Sequence, residues 1–353
     1  MLIIGCDFHP SYQQVGVFDN GTGAVEEKRL GHRAEAEEFY RGLAGPVRVG
    51  MEACGHYPWF EGLLQELGFE LWLGDAARIR ASVVRKQKTD RLDAEHILQL
   101  LLQDRFPRIW VPSLGERDVR QLLVHRHKRV QARTRSKNQL QALALGQGLR
   151  KQGKLWTAAG RAEMEQLAML PYAAERRKQL WHDVDRLNAE IAGLDQRVVE
   201  EVAKRPEAVR LQTHPGVGPV TALAMVLTVG PAERFASAKQ VGSYFGLIPS
   251  EHSSGAGRQK LGRISKQGSS FLRFLLVEAG QSAARYDAEL GRFYRRLSVR
   301  KNRGLAKVAV ARKLAVRLYW MLREDWNYAQ LCKAVVRVSP SHSVVRKQQK
   351  PSA

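Results

Sequence analysis

Hydrophobic residues near the start of the chain form short segments in which they alternate with polar residues or run together, as in β-strands. Three such segments, residues 2–7, 14–18 and 25–30, follow one another closely, and Gly21 and Gly23 mark the turn before the third. Apolar residues at helical spacing over 34–43 and 59–67 precede two more strand-like segments, 47–52 and 69–73. With a helix after residue 75, the predicted order is βββαβαβα.

Helical patterns dominate the rest of the chain. After a pause at 86–88, a helix is predicted over 90–102, and residues 117–154 hold eleven Lys or Arg and a single Asp, which indicates a basic helical region. The next apolar residues step by four and three in turn: Leu180, Val184, Leu187, Ile191, Leu194 and Val198. This heptad spacing is typical of a coiled-coil arm or helical hairpin, but the run is short enough for an ordinary amphipathic helix packed on its own domain.

Composition adds a strong positive charge. The 353 residues carry 57 Lys and Arg against 35 Asp and Glu, a formal net charge of +22, which indicates a polyanionic partner. A chain of this length favours two folded units and a connector. No segment offers the run of about 20 apolar residues that a membrane span needs. Because the N-terminus also lacks the features of a signal peptide, we expect a cytoplasmic protein without a membrane partner.

Four acidic residues occur where a divalent-metal site could form. Asp7 and Glu52 end two predicted strands, and Asp90 and Asp93 lie three residues apart at a helix start, so they share one face. Carboxylates hold Mg²⁺, and two such ions about 4 Å apart can stabilise the attacking and leaving oxygens of phosphoryl transfer. Each acid alone has a structural explanation, such as capping a helix. The four together predict a metal site in an RNase H-like fold.

A second group of residues suggests a nucleophile. Ser253 and Ser254 precede a glycine in GLIPSEHSSG, and five cations with no acid among them follow: Arg258, Lys260, Arg263, Lys266 and Arg273. A hydroxyl held beside cations can attack a phosphate while the cations offset the developing charge. Ser-Gly pairs are also common turn residues, and basic loops bind phosphate without chemistry, so both interpretations stay open.

Glycines indicate another phosphate contact. In the segment THPGVGPVT, Gly216 and Gly218 have the spacing found in the hairpin of helix-hairpin-helix elements. The backbone amides of such hairpins contact DNA phosphates. A plain turn between helices has the same pattern. The glycines of GAGRQKLG follow no predicted strand and lack the Lys-Ser/Thr ending of a nucleotide loop. ATP binding is therefore not expected.

Six motifs occur together along the chain: GCDFH, MEACG, KTDRLDA, HPGVGPVTA, GLIPSEHSSG and GRISKQGSSFLR. In this combination and order the chain resembles the DEDD transposases of the Piv/MooV-like insertion-sequence family, which are bridge-RNA-guided recombinases. The resemblance implies an α/β plus α fold class with three parts: a RuvC-like RNase H-fold domain at 1–110, a basic helical and coiled-coil connector at 111–208, and a mainly helical transposase domain at 209–330. The composition of 331–353 predicts a basic, disordered tail, in which the chain departs from a minimal member of the family.

The resemblance also implies the chemistry. Asp7, Glu52, Asp90 and Asp93 match the family's Mg²⁺-binding tetrad, and Ser254 matches its serine nucleophile, though the adjacent Ser253 fits the motif in the neighbouring register. The serine would attack a DNA phosphodiester, and a 3′ hydroxyl of another strand would reverse the attachment. A noncoding guide RNA would pair with double-stranded target and donor DNA. Active sites would combine residues of two subunits in a homo-oligomer, a dimer to tetramer, in the bacterial nucleoid.

Basic residues then become the expected nucleic-acid contacts. They are Arg126, Lys128, Arg129, Arg133, Arg135 and Lys137, with Gly216, Gly218 and the five cations of 258–273. One rival hypothesis is a structure-specific nuclease related to Holliday-junction resolvases, which uses water as nucleophile and would still cut DNA after Ser254→Ala. The other is a non-catalytic nucleic-acid-binding protein, which would bind DNA without cutting it.

Overall fold

The chain, seen as a computed structural model, folds as two compact units, Met1–Val111 and Pro112–Ala353. The structure describes residues 1–83, 89–150, 153–251 and 261–338. Four of the predicted site residues, Ser253, Ser254, Arg258 and Lys260, lie outside the described residues, as does the segment 339–353 of the predicted tail.

Strands and helices alternate in the first unit in the predicted order. The elements are β1 (Leu2–Phe8), β2 (Tyr12–Asp19), β3 (Val25–Gly31), α1 (Ala34–Arg41), β4 (Val47–Glu52), α2 (Pro58–Glu66), β5 (Glu70–Gly74), α3 (Ala76–Ala81) and α4 (Asp90–Leu102). The helix predicted over 90–102 is confirmed at both ends. The helix predicted after residue 75 is α3, which ends at Ala81.

One five-stranded mixed sheet, in the order β3-β2-β1-β4-β5, forms the centre of this unit. β1, β2 and β3 pair antiparallel, whereas β4 is parallel to β1 and β5 is parallel to β4. One face buries Ile4, Val49 and Met51 against the aromatic rings of Tyr40 and Phe60. This α/β unit is consistent with an RNase H-like fold.

Helices make up most of the second unit, which confirms the predicted mainly helical C-terminal part. The elements are α5 (Leu114–Gly146), α6 (Ala158–Gln166), α7 (Pro171–Ala203), α8 (Pro206–Leu211), α9 (Pro219–Val229), α10 (Ala238–Tyr244), β6 (Pro249–Glu251), β7 (Leu261–Ile264), α11 (Ser270–Tyr286), α12 (Ala288–Arg300), α13 (Arg303–Arg323) and α14 (Tyr328–Val338). β6 and β7 form a small antiparallel ribbon. No helix in the described part of the chain is long and apolar enough to cross a membrane.

Two 33-residue helices, α5 and α7, pack against each other over most of their length. They run antiparallel, because Arg126 contacts Asp195 whereas Arg176, at the other end of α7, contacts Gln139. All six heptad residues of α7 are buried. The heptad spacing therefore reflects a long helical hairpin, one of the two structures that the sequence favours.

The core of the second unit extends to the last described helix. Leu331 is 2% exposed and packs in the same hydrophobic cluster as α9, α11 and α13. Residues 331–338 consequently continue α14, where the sequence predicts the beginning of a tail.

Candidate functional site

Asp7 and Glu52 lie at the same edge of the sheet. Cys6 of β1 pairs with Met51 of the parallel strand β4, so the next residue of each strand, Asp7 and Glu52, occupies the same level. Side chains at equivalent levels of adjacent parallel strands point to the same face. Both carboxylates therefore belong to the carboxyl end of the parallel part of the sheet.

A row of three glycines brings α4 close to these strands. Gly5 pairs with Gly16 on one side and with Gly50 on the other. A Cβ added at Gly5 would lie 2.4 Å from the backbone nitrogen of Leu98, and one at Gly50 would lie 2.7 Å from the side chain of Leu101. The helix can lie directly on the strands only because side chains are missing there. Asp7, two residues after Gly5, faces the same helix.

The start of α4 is fixed by a capping residue. Thr89 has extended backbone angles, and its hydroxyl accepts a hydrogen bond from the backbone N–H of Leu92 over 3.3 Å. Asp90 is therefore the first residue of the helix, directly above the end of β1, and Asp93 follows one turn later. The motif KTDRLDA thus encodes both the cap and the two acids.

The described residues that could together hold a metal ion are Asp7, His9 and Asp90, whose ligand atoms all lie within 4.8 Å of one another. Nε2 of His9 is 3.0 Å from Oδ2 of Asp7 and 3.7 Å from Oδ1 of Asp90. The hydroxyl of Tyr12 donates a hydrogen bond to Oδ2 of Asp90 over 2.6 Å, and its ring stacks on His9 with centroids 4.6 Å apart. We call Asp7, His9 and Asp90 the acidic cluster.

The two carboxylates of the acidic cluster have different electrostatic surroundings. Burial raises the pKa of Asp7, the hydrogen bond and charge of His9 lower it, and the nearby carboxylates of Asp93 and Asp90 raise it again; the net shift is upward. The pKa of Asp90 is instead lowered, chiefly by the hydrogen bond from Tyr12. Asp7 thus carries a half-buried charge that its neighbours do not fully compensate, and a bound cation would compensate it.

Glu52 and Asp93 lie beside the acidic cluster rather than inside it. Glu52 is 40% exposed, and the nearest described cation is Arg80, 3.9 Å away. Asp93 faces a cavity of about 280 Å³ that also borders Ser82 and His96, whose side chains are 2.9 Å apart. The structure therefore brings Asp7 and Asp90 together and places the other two predicted acids around them.

His9 is a functional candidate that the sequence-based reasoning missed. It follows Asp7 by two residues in GCDFH, so the two side chains leave the strand on the same side. That period-two relationship was the available signal. Tyr12 had none, because its contact with Asp90 depends on how α4 packs on the sheet.

The basic residues predicted on α5 fall into two groups. Arg126 and Arg129 form ion pairs with Asp195 and Glu190 of α7, and Arg133 donates a hydrogen bond to Asn188. Lys137 lies over the ring of Trp156. In contrast, Lys128 and Arg135 are exposed, and no carboxylate of the described residues lies within ion-pair distance of them. Part of the positive charge of α5 is thus neutralised by α7.

The two glycines of THPGVGPVT occupy the turn between α8 and α9. Gly216 has a positive φ of 82°, and a Cβ there would lie 2.4 Å from the backbone nitrogen of Ala283 in α11, so packing alone requires a glycine. Gly218 precedes α9 and has open space where a Cβ would project. The residue with room for a ligand is therefore Gly218.

The described cations after the serine motif differ in the contacts that they make. Arg273 donates hydrogen bonds to the backbone carbonyls of Phe245 and Gly268 over 3.2 Å each, and to that of Gln267. It therefore holds the loop before α11 in place. Arg263 lies in β7, where its carbonyl accepts a hydrogen bond from Ser250, and Lys266 follows with a positive φ of 57°.

Comparisons with known proteins place both units in one group. Residues 4–147 match a family model described as a transposase, the DEDD transposase model of IS110 elements. Residues 208–295 match the model described as the transposase IS116/IS110/IS902 family. The first match contains all four predicted acids, and the second contains the predicted serine and both glycines of the α8–α9 turn.

Two relatives named as transposases cover almost the whole chain, and a third relative with another name covers part of it. A family 20 transposase of Pseudomonas aeruginosa is 31% identical over 90% of this chain and 96% of its own length. The transposase of the insertion sequence element IS1111A from Coxiella burnetii is 26% identical over 92% of this chain and 91% of its own length. The pilin gene-inverting protein of Moraxella bovis is 27% identical over 59% of this chain and 72% of its own length. The chain belongs to the IS116/IS110/IS902 family of transposases and is a DNA recombinase.

Proposed function

We propose that this transposase is an RNA-guided recombinase of an insertion sequence that cuts DNA at a Mg²⁺ site and exchanges strands through a covalent serine–DNA bond. The observation that carries the proposal is the convergence of Asp7, His9 and Asp90 at the carboxyl end of the sheet, within the segment that matches the DEDD transposase model. Within this proposal the first unit is the RuvC-like catalytic domain.

The residues of the acidic cluster fit a divalent cation. Asp7 and Asp90 offer the carboxylate oxygens that Mg²⁺ prefers, and the raised pKa of Asp7 marks a charge that lacks compensation. Two further carboxylates could join the ligand set: Glu52, level with Asp7 at the end of β4, and Asp93, one turn after Asp90 in α4. When bound, Mg²⁺ would supply Lewis-acid stabilisation of the charge that develops on the phosphate.

Ser254 is the proposed nucleophile, with Ser253 as the neighbouring alternative. Its Oγ forms a bond to phosphorus while the bond from phosphorus to the 3′ oxygen of the DNA breaks, and the serine proton ends on the released 3′ hydroxyl. A 3′ hydroxyl from another strand then attacks the same phosphorus, and its proton returns to the serine as the Oγ–phosphorus bond breaks. Each phosphoester bond that breaks is replaced by a new one, so the exchange loses no atoms and needs no external energy source.

The remaining parts of the chain would hold nucleic acid. Exposed Lys128 and Arg135 on the α5–α7 hairpin, Gly218 in the α8–α9 turn, and Lys266 are the best placed of the predicted contacts. Residues 111–208 would act as the connector and 209–330 as the transposase domain. A guide RNA would select target and donor DNA, and a homo-oligomer would combine the acidic cluster of one subunit with the serine of another.

One relative supports recombination rather than simple cutting. The Moraxella protein is named for inverting a pilin gene, and an inversion requires that DNA strands be cut and rejoined in a new arrangement. A covalent serine intermediate would keep the energy of the cut phosphodiester bond for the rejoining step in this chain. After hydrolysis by water, a 3′ hydroxyl could be joined only by attack on another intact phosphodiester bond.

The test is an adduct assay. Purified full-length protein is incubated with Mg²⁺, the RNA encoded beside its gene, and end-labelled target and donor DNA, and the products are run on a denaturing gel. We expect a protein–DNA adduct that is absent from Ser254→Ala and from Asp7→Ala. Ser250→Ala, which removes a hydroxyl only four residues away in β6, is the matched control and should keep the adduct.

Other outcomes would identify the rival functions. Cleavage without an adduct, unaffected by loss of Ser253 and Ser254, would make the protein a nuclease that uses water. Tight binding without cleavage under any metal condition would make it a non-catalytic nucleic-acid-binding protein. An adduct that forms equally well without RNA would contradict RNA guidance, but it would not contradict the serine chemistry.

A further inference from the structure

α12 and the beginning of α13 carry a concentrated positive charge that lies outside the six sequence motifs. Between residues 291 and 308 there are seven cations and no acid: Arg292, Arg295, Arg296, Arg300, Lys301, Arg303 and Lys307. Those at 292–303 are all exposed. We call these seven residues the α12 surface.

Helical geometry puts much of this charge on one side of α12. Arg292, Arg295 and Arg296 recur at intervals of three and four, and the same spacing leads to Val299, which is 88% exposed. The opposite side of the helix is used for packing: Leu290 is fully buried with Ala283 and Val310, and Phe293 and Tyr294 pack against them. The apolar face of α12 is therefore not available for a membrane, and only its cationic face meets solvent.

Carboxylates in this region are paired with cations of α13. Asp287, at the N-terminus of α12, is 4% exposed; it caps the helix through the N–H of Leu290 and forms an ion pair with Arg317 over 2.6 Å. Glu289 contacts Lys313 and Arg317. The acids thus anchor α12 to α13 and leave the outer face unneutralised.

Cations of the α12 surface differ in this respect from those of the α5–α7 hairpin. Among the described residues, none of the seven has a carboxylate within 4.0 Å, whereas Arg126, Arg129 and Arg186 of the hairpin all form ion pairs. Cations without carboxylate partners repel one another, so their mutual charge does not stabilise the fold. An external polyanion would gain from it, because each phosphate contact releases counterions.

We propose that the α12 surface is a docking site for the phosphate backbone of double-stranded DNA. Duplex DNA is the expected partner because the chain is a transposase, an enzyme that acts on DNA. The helical segment from Arg292 to Arg300 extends over about 12 Å, and duplex DNA of that length carries about seven phosphate charges. The four cations of this segment, Arg292, Arg295, Arg296 and Arg300, could therefore neutralise about half of the phosphate charges that such a stretch of DNA presents. This surface adds to the contacts of the proposed function and does not depend on the serine, the metal or the guide RNA.

The experiment compares two full-length variants that lose the same formal charge. The first carries Arg292→Gln, Arg295→Gln, Arg296→Gln and Arg300→Gln. The control carries Arg41→Gln, Arg48→Gln, Arg161→Gln and Arg186→Gln, four arginines that have carboxylate partners within 2.9 Å. Binding of a fluorescent duplex of arbitrary sequence is measured by anisotropy over a range of salt concentrations.

We expect the α12 variant to lower the slope of log K against log salt by about 3 to 4, and to weaken binding at least about tenfold in low salt. The control variant should keep the wild-type slope. Lysine at the same four α12 positions should also keep it, which separates loss of charge from loss of folded structure.

Several results would overturn the proposal. Equal effects of the two glutamine variants would mean that net charge, rather than this surface, governs binding. A reduced slope with duplex RNA but not with duplex DNA would assign the surface to RNA. An unchanged slope in the folded α12 variant would remove the surface from nucleic-acid binding altogether, while the adduct assay would still test the proposed function separately.

Discussion

The hydroxyl of Tyr12 donates a hydrogen bond of 2.6 Å to Asp90, although 78 positions separate the two residues. Tyr12 begins β2 and Asp90 begins α4, so the bond joins the sheet to the helix at the place where the acidic cluster forms. The guanidinium of Arg29 lies 4.1 Å from the centre of the Tyr12 ring, on the neighbouring strand. Tyr12 is therefore held on one side by Arg29 and orients Asp90 on the other.

Tyr12→Phe tests this orientation. The variant keeps the ring and its stacking on His9 but loses the hydroxyl that fixes Asp90, and removal of such a group beside a metal ligand weakens metal binding by about 10-fold to 100-fold. We expect a corresponding drop in Mn²⁺ affinity, measured by calorimetry on the full chain.

Tyr40→Phe is the matched control, because it removes a buried hydroxyl that bonds Gln13 in the same sheet, away from the acidic cluster. It should lower stability and leave Mn²⁺ affinity unchanged. Equal Mn²⁺ affinity of Tyr12→Phe and wild type would show that Tyr12 does not position Asp90. Absence of Mn²⁺ binding by the wild type would instead contradict the metal site itself.

Gly5→Ala should separate α4 from the sheet. The added Cβ would meet backbone atoms of Leu98 and Ala94 at 2.4 and 2.5 Å, and backbone cannot move aside as a flexible side chain can. We expect a loss of about 1 to 3 kcal/mol in the free energy of unfolding and, because Asp90 moves with the helix, weaker Mn²⁺ binding. Gly62→Ala in α2, where a Cβ meets nothing within 4 Å, is the control and should be neutral or stabilising. Wild-type stability and Mn²⁺ affinity in Gly5→Ala would rule out tight packing of α4 at this position.

The order of strands and the position of α4 were predictable because local patterns encode them. Short apolar runs marked β1 to β5, and Asp90 and Asp93 marked the start of α4. The contacts within the acidic cluster were not predictable in the same way. They depend on Gly5, Gly16 and Gly50 forming one row, which becomes visible only when the strand register is known.

The sequence predicts the net positive charge of the chain, but it does not show which cations have acidic partners in the folded structure. The sequence shows the cations of α5, yet the acids that neutralise Arg126 and Arg129 lie about 60 residues later on α7, and only the helical hairpin brings them together. Conversely, the cations of α12 look ordinary in a chain with a net charge of +22. Their distinguishing feature, the lack of described acidic partners, belongs to the folded structure.

His214 should make the second unit sensitive to mild acid. It is 1% exposed, and burial lowers its pKa to about 4, while the hydrogen bond with the carbonyl of Pro215 acts in the opposite direction. The unfolded chain takes up a proton on this imidazole near pH 6.5, so the unfolded state binds more protons between the two values and stability falls as pH drops from 6.5 to 4. The loss over this range should reach about 3 kcal/mol.

Urea unfolding at a series of pH values measures this loss, with His214→Asn as the comparison because asparagine does not titrate. The difference in unfolding free energy between wild type and His214→Asn should shrink or reverse as pH falls from 6.5 to 4. A difference that stays constant over that range would mean that His214 does not take up its proton on unfolding.

Asp287→Asn should destabilise the second unit strongly. The change removes the charge that faces buried Arg317 and weakens the hydrogen bonds with Tyr328 and Leu290. Breaking one side of a buried ion pair costs about 3 to 5 kcal/mol, whereas Arg41→Gln at an exposed pair should cost less than about 1 kcal/mol. Thermal unfolding of both variants tests the difference. Similar small losses for the two would show that Asp287 does not anchor α12.

Anomalous diffraction from crystals of the full chain soaked in Mn²⁺ shows whether the acidic cluster binds a metal ion. We expect an anomalous peak within bonding distance of the carboxylates of Asp7 and Asp90, and no peak there in Asp7→Asn crystals soaked in the same way. A peak elsewhere in the wild type, or a peak at the cluster that persists without the Asp7 carboxylate, would contradict the assignment of the metal centre to these residues.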